Sequence, residues 1–431
     1  MTARIIPLNR AMAKRLAVII ALLFFAGPAR ALRPDARIFH LDDSVQLAVL
    51  NNTELLLEEQ NIAIAKQRIK EALFLFFPEI GIEANTTKYS SQYPFSLPPS
   101  VGSLNLFPSI HDNVYTGRVS VQHSLHAGQG DTLRLAQAAL KQAEADYEAI
   151  RLDIAFKTSQ VFYRLLLAQE QDTAVAELAA GARKLLEQLK PSGWDEVAAQ
   201  GSLSRFRALE ARSGQDIVQA RLDFAKVLNL ELDADFRVDG RLETRQVAAD
   251  LEKSKVWAME VRPELQAETY KAEMDAISVN LALGRRVPSL IIGAGQEFVG
   301  SDFPLRNNNW FVTFGVRFPF SYDYWSHVRK KRAEQRQGQL KRSELQDAVR
   351  LQVMQAYENL MFWSKEWPAR EKAWDGIHAS YDKAVKLSPG RLEMLQGTLV
   401  LLEAQMEYLT AIKEHLLAKA GLERAVGRTL E

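Results

Sequence analysis

The sequence predicts a mostly α-helical protein with a transmembrane β part, built from two copies of a helix–strand–strand–helix unit. The first observation is an internal repeat, because Pro78 matches Pro288 at an offset of 210 residues and Tyr163 matches Tyr357 at an offset of 194. The second is the hydrophobic period, which changes from about 3.6 residues before each proline to two after it. The third is a seam of apolar residues, seven apart, in the long segment after the first pair of strands, which is typical of coiled-coil packing.

Residues 1–31 have the features of a signal peptide. Four basic residues lie within 1–15, residues 16–27 are apolar, and the A-x-A sequence at 29–31 predicts cleavage after Ala31. A membrane-spanning helix would need about 20 apolar residues, so a retained anchor is the less favoured alternative. The sequence therefore predicts export.

Composition excludes several classes of function. The signal peptide carries five of the 54 Lys and Arg and no acidic residue, so the mature chain has 49 basic and 53 acidic residues, a net charge of −4. This balance gives no support to nucleic-acid binding. The chain has no cysteine, which excludes disulfides, thiolate metal sites and a catalytic thiol. An exported chain of this size without disulfides must be stabilised by packing or by assembly.

In the first unit, a predicted helix over 42–77 is followed by a strand. Pro78 marks the change, since proline ends a helical pattern and suits the first residue of a strand. Apolar and polar residues alternate from Ile80 onward and again over 115–125. The intervening segment 90–113 contains four prolines and is predicted to be a long loop.

The second half of the first unit is predicted to be a helical hairpin. The apolar seam over 131–190 predicts one helix of about 60 residues, which at about 1.5 Å per residue is roughly 90 Å long. Residues 190–205 are predicted to turn the chain, and 205–230 to run back as a helix. The helical faces away from the seam are polar and therefore suit water.

The second unit repeats the strands with stronger alternation. An apolar stripe alternates with polar or small residues such as Thr313 and Arg317, and a strand of about 11 residues crosses a bilayer at a tilt. The residues predicted to face lipid are Trp310, Val312, Phe314 and Val316.

Four strands per chain also predict assembly. An open sheet leaves two edges, and each unpaired backbone group in lipid costs several kcal/mol. A closed barrel needs about eight strands or more, so symmetric copies of the chain are expected to share one barrel.

Several segments, in the same order in both units, carry a resemblance to a known family. “LDDSVQLAVLNNTELL” and “FPEI” in the first unit correspond to “VRPELQAE” and “VPSLIIGAG” in the second, and “GLERAVG” resembles a unit ending. This order resembles that of the TolC-like outer membrane efflux proteins over nearly all of the mature chain. The resemblance implies a homotrimer with a 12-stranded β-barrel on a long periplasmic tunnel of coiled α-helices. It also implies a periplasmic adaptor protein, an inner-membrane transporter and outer membrane lipid as partners.

The resemblance further implies that the tips of the helical hairpins form the periplasmic mouth. Small residues and a leucine contact the adaptor there, and Gly201, Leu203, Gly397 and Leu399 match that pattern. A plain hairpin whose helix stops at glycine explains the same residues equally well.

An acidic ring near this mouth is matched only in part. Glu403 occupies one of the two acidic positions in the second unit, and Val400 occupies the other. In the first unit the corresponding residues are Glu210 and Arg207. These are candidates for a periplasmic gate, and a solvated helix glutamate is the simpler alternative.

No catalytic, cofactor-binding or metal site is predicted. His123 and His126 lie three apart on a strand and should point to opposite faces, which argues against a metal pair. “GAGQEF” (293–298) has phenylalanine where a dinucleotide fingerprint needs its third glycine. The aromatic residues Tyr324, Trp310 and Trp325 fit an interfacial girdle or packing better than a stacking site.

The sequence thus predicts a non-enzymatic outer membrane exit duct of a tripartite efflux or secretion system. A periplasmic coiled-coil scaffold or adhesin without a pore is the alternative, and the alternating strands argue against it. The predicted divisions are the signal peptide (1–31), a first repeat (32–231), a connector (232–260) and a second repeat (261–431).

Overall fold

The computed structural model describes residues 37–88, 113–189, 191, 193–233, 235–387 and 392–429. The predicted signal peptide, and almost all of the loop predicted at 90–113, lie outside these residues.

The chain forms the same series of elements twice. In the first half these are β1 (Arg37–Phe39), α1 (Leu41–Asn51), α2 (Thr53–Phe74), β2 (Glu79–Lys88), β3 (Asn113–Leu125), α3 (Gln129–Leu189) and α4 (Trp194–Val227). In the second half they are β4 (Phe236–Val238), α5 (Leu251–Val261), α6 (Pro263–Gly284), β5 (Ser289–Gly300), β6 (Asn307–Arg317), α7 (Tyr324–Leu387) and α8 (Glu393–Val426). Equivalent helices have closely similar lengths, with 11 residues in α1 and α5, 22 in α2 and α6, and 34 in α4 and α8.

The helix predicted over 42–77 is divided in the structure. α1 ends at Asn51, and the side chain of Asn52 accepts a hydrogen bond from the backbone N–H of Glu54 at 2.9 Å, which caps α2. In the second half Pro263 begins α6, where the missing N–H of proline has no cost. Helix α5 is the counterpart of α1 and lies almost wholly within the segment predicted as connector.

The turn predicted over 190–205 is shorter than expected. α4 begins at Trp194, so Gly201 and Ser202 lie inside a helix. The hydroxyl of Ser202 donates to the carbonyl of Ala198 at 3.1 Å, one turn earlier in the same helix. The small polar residues that suggested a turn therefore bond within the helix instead of ending it.

Helix α3 packs against helices of both halves of the chain. In the half next to the sheet α3 packs against α2 and α6, and in the other half it packs against α4 and α8. α7 packs against α6 and then against α8. The predicted seven-residue seam faces this core, since Ile154, Ala168, Val175 and Ala182 are buried.

The connector between the two halves is fixed to the helices. β1 and β4 pair in parallel, and Phe39 and Phe236 pack on the buried Phe224. Farther along, Thr244 Oγ1 lies 2.6 Å from Nδ1 of the fully buried His415. Burial, and then the nearby Lys419, lower the pKa of His415, which favours its neutral form.

Within the described residues, no helix combines the length and the hydrophobicity that crossing a membrane requires.

Candidate functional site

The four long strands form one antiparallel sheet in the order β2–β3–β5–β6. Residues directly opposite each other on neighbouring strands share a face. Ile82 lies opposite Val119, and Ile292 lies opposite Phe314, so the apolar stripes of all four strands fall on the same side. This apolar face carries Ile80, Ile82, Val119, Val121, Leu290, Ile292, Val312, Phe314 and Val316. The predicted alternation is confirmed.

Among the residues that the structure describes, none covers the apolar stripe of β6. Trp310 is 80 % exposed and Phe314 is 70 % exposed, although both are large apolar residues. A contiguous apolar surface of this kind marks a contact with lipid or with another protein. That the stripe of Trp310, Val312, Phe314 and Val316 faces lipid stays a prediction.

The opposite face of the sheet is polar and carries an ion pair. The strand register places Glu83, Arg118, Glu297 and Asn309 in one row across the four strands. Arg118 Nη2 donates to Glu297 Oε1 at 2.6 Å, and its guanidinium carbon lies 5.5 Å from the centroid of the Phe311 ring. This face therefore has the chemistry of a surface that contacts water.

The glycines of “GAGQEF” serve the packing of the sheet. Gly293 and Gly295 lie inside β5. A Cβ on Gly295 would lie 2.7 Å from the carbonyl oxygen of Val119 and 2.7 Å from Cζ of Phe311. The Phe311 ring thus covers a position where only a hydrogen fits.

The two histidines at the end of β3 have separate environments. His123 Nδ1 lies 3.2 Å from the carbonyl oxygen of Phe77. His126 follows the last residue of β3, so the opposite-face argument made for a strand does not apply to it. In the part of the chain that the structure describes, no group of three or more His, Asp or Glu residues is arranged to hold a metal ion.

The four predicted tip residues lie inside helices and not in the turns. Gly201 and Leu203 are in α4, and Gly397 and Leu399 are in α8. Leu399 is only 7 % exposed, because it packs in a cluster formed by α3, α4 and α8. A role for these residues in adaptor contact stays a prediction.

A more exposed residue, which was not predicted from the sequence, lies at the first tip. Trp194, the first residue of α4, is 88 % exposed and follows Gly193, whose φ of 65° is a left-handed conformation that glycine adopts readily. At the second tip Leu387, the last residue of α7, is 84 % exposed. The Ser-Gly-Trp sequence at 192–194 was the available signal for the first of these, because it places a large aromatic residue directly after a turn glycine.

The gate candidates differ in their surroundings. The carboxylate of Glu210 accepts a hydrogen bond from Arg183 on the neighbouring helix α3. Glu403 and Arg207 are exposed, and neither makes an ion pair with any residue that the structure describes. Glu403 is therefore the free carboxylate of the set.

The ends of the two hairpins show that Glu210 and Glu403 do not occupy equivalent positions in the two halves. Asn229 and Gly427 both have positive φ, 54° and 79°, just after α4 and α8, and they are 198 residues apart. Glu210 and Glu403 are only 193 residues apart, so they differ by more than one helical turn from equivalent positions. The acids do not form a repeated pair.

Comparisons with known proteins give no match to a family model and none to a curated protein. Solved structures do match. The outer membrane channel CmeC of Campylobacter jejuni has a TM-score of 0.75 at 15 % identity, covering 91 % of this chain and 86 % of that chain. The outer membrane protein VceC of Vibrio cholerae has 0.74 at 15 % identity, covering 91 % and 97 %. The MtrE outer membrane channel of Neisseria gonorrhoeae, in its open state, has 0.74 at 16 % identity, covering 91 % and 89 %.

The chain therefore has the fold of outer membrane channels over about nine-tenths of its length. This is the TolC-like fold that the repeated segments of the sequence resemble.

Proposed function

We propose that this chain is one protomer of an outer membrane channel that serves as the exit duct of a tripartite efflux or secretion system. Substrates would pass from the periplasm or from an inner-membrane pump to the outside, and no step of this transport requires catalysis by the chain. The observation that carries the proposal is the four-stranded sheet, which has one exposed apolar face, one polar face and two edges that pair with no other strand in the described part of the chain.

Closure of these edges supports a homotrimer. β2 and β6 are the edge strands, and in lipid their unpaired backbone groups would each cost several kcal/mol. Three copies joined edge to edge would give a 12-stranded barrel with the apolar face outside and the row of Arg118 and Glu297 inside. A barrel of that size can hold a water-filled lumen.

The helices supply the periplasmic part. α3 has 61 residues and α7 has 64, so each is roughly 90 Å long at about 1.5 Å per residue. The hairpin tips, with Trp194 and Leu387 exposed, are the surface on which a periplasmic adaptor protein would dock. A scaffold or adhesin without a pore is less well supported, because it has no use for a sheet with one apolar and one polar face.

Cell fractionation with electrical recording tests the proposed function. The protein should sediment with outer membranes, migrate as a trimer before heating, and conduct ions when the trimer is added to a planar bilayer. A monomer that is fully soluble in the periplasmic extract, or a trimer that conducts nothing, would exclude the channel.

Substitution of the gate candidates should separate the two acids. We expect Glu403→Gln to weaken block by multivalent cations, because it removes a carboxylate that has no cationic partner among the described residues. The effect should be larger at low salt, since the screening length is about 30 Å at 0.01 M and only about 8 Å at physiological ionic strength. Single-channel recordings at the two salt concentrations measure it.

Glu210→Gln is the matched control, because the Glu210 carboxylate is already paired with Arg183. It should change cation block much less than Glu403→Gln does. No effect of Glu403→Gln would show that other residues form the constriction, and an equal loss of block in both variants would contradict the expected difference between the paired and the unpaired acid.

A further inference from the structure

The junction between the sheet and the helices of the second half carries an exposed group of aromatic side chains. It comprises the segment that joins α6 to β5, the segment that joins β6 to α7, and the first turns of α7. Its large exposed side chains are Phe318, Phe320, Tyr322 and Trp325. In a membrane protein, aromatic side chains concentrate where the hydrocarbon meets the headgroups.

Arg286 is held on a rigid part of this junction. Its guanidinium carbon lies 4.6 Å from the ring centroid of Tyr324 and 5.3 Å from that of Trp325. Tyr324 is itself fixed, because it is buried against Val328 and its hydroxyl donates to the carbonyl of Leu283 at 3.3 Å. No ion pair forms between Arg286 and the residues that the structure describes, so its donors are available to an anion.

The helix that begins at this junction is strongly basic. The first 19 residues of α7 contain seven Lys and Arg and one acidic residue, Glu334, which Lys330 and Lys331 share. The first 19 residues of α3, at the equivalent junction of the first half, contain two Lys and Arg and three acidic residues. Arg332 is exposed and forms no ion pair with the described part of the chain. The excess of positive charge therefore belongs to one junction only.

We propose that this junction binds the phosphate headgroups of anionic phospholipids in the leaflet that faces the periplasm, with Arg286 as its anchor and Arg332 as a second cation. The proposal rests on the proposed function, because it needs the sheet to lie in a membrane. A guanidinium held close to aromatic rings can still donate hydrogen bonds to a phosphate. A trimer would carry three such junctions, spaced around the barrel.

Lipid retention by the purified full-length trimer tests the proposal. The trimer is reconstituted in vesicles of phosphatidylcholine with phosphatidylglycerol, extracted, and analysed for bound lipid by mass spectrometry. The unaltered protein should retain phosphatidylglycerol in preference to phosphatidylcholine. Arg286→Gln and Arg332→Gln should each reduce this preference, by about fivefold for a cation at an anionic membrane surface.

Lys372→Gln with Lys383→Gln is the matched control, because both lysines are exposed on the far part of the same helix α7. It should leave the preference unchanged. An equal loss in the control, an unchanged preference in the junction variants, or release of the lipid by inorganic phosphate alone would overturn the proposal. If Arg332→Gln does not assemble, Arg286→Gln alone decides. Failure of the proposed function would look different, because the unaltered protein would then not insert into these vesicles at all.

Discussion

Phe314→Arg should abolish most of the assembled trimer in the outer membrane, whereas Thr313→Arg should assemble nearly as well as the unaltered protein. The two residues are neighbours on β6 and therefore point to opposite faces of the sheet. Phe314 lies opposite Ile292 on the apolar face, and Thr313 lies opposite Gly293 on the polar face. An arginine facing lipid near the middle of the bilayer costs about 2–4 kcal/mol per chain, and three chains incur this cost together.

The measurement is the amount of trimer in outer membranes, read from unheated samples on gels, with total protein as the reference. Because the two variants add the same side chain one residue apart, expression and net charge are matched. Equal assembly of Phe314→Arg and Thr313→Arg would mean that the apolar face of this sheet does not face lipid.

The faces of the strands could be predicted from sequence because they depend on local geometry. Side chains alternate along any strand, so the stripe through Val312 and Phe314 is fixed before its neighbours are known. The register of the strands adds only that Ile82, Val119 and Ala294 lie on the same face of the sheet as this stripe. The resemblance in fold was found for a similar reason, since the prolines and periodic segments recur in the same order in both halves.

The tips could not be predicted as well because they depend on packing between helices. Gly201 and Ser202 have the composition of a turn, but in this chain they continue α4. Leu399 is buried because α8 packs against α3, a contact between segments more than 200 residues apart. The partner of Glu210 is Arg183 on the antiparallel helix, and only the pairing of the two helices reveals it.

The polar side of the sheet also contains a feature that no local pattern indicates. Gly295 belongs to a segment that has only two of the three glycines of a dinucleotide fingerprint. In the structure it is a strand residue whose missing side chain allows the Phe311 ring to lie over the strand. A glycine covered by an aromatic ring on the neighbouring strand is a known way of stabilising a sheet at such a position.

Gly295→Ala should therefore destabilise the sheet strongly, whereas Gly315→Ala should not. A Cβ at Gly295 would lie 2.7 Å from the carbonyl oxygen of Val119, a backbone atom that cannot rotate away, and 2.7 Å from Cζ of Phe311. At Gly315, on the same polar face, nothing lies within 4 Å of the corresponding Cβ. Overpacking of this kind costs about 1–3 kcal/mol, and each trimer contains three copies of the clash. The measurement is the temperature at which the purified trimer dissociates.

The double variant Gly295→Ala with Phe311→Ala separates the two contacts. Removing the ring relieves the contact with Phe311 and leaves the contact with the Val119 carbonyl, so the double variant should recover only part of the stability. The single variants Gly295→Ala and Phe311→Ala, compared with the double variant, give the coupling energy between the glycine and the ring. Such a comparison is needed because the effects of substitutions at residues in contact are not additive. Full recovery would mean that the β3–β5 pairing tolerates a methyl group at Gly295 and that the ring alone requires the glycine. Equal stability of Gly295→Ala and Gly315→Ala would mean that the glycine is not required for close approach at all.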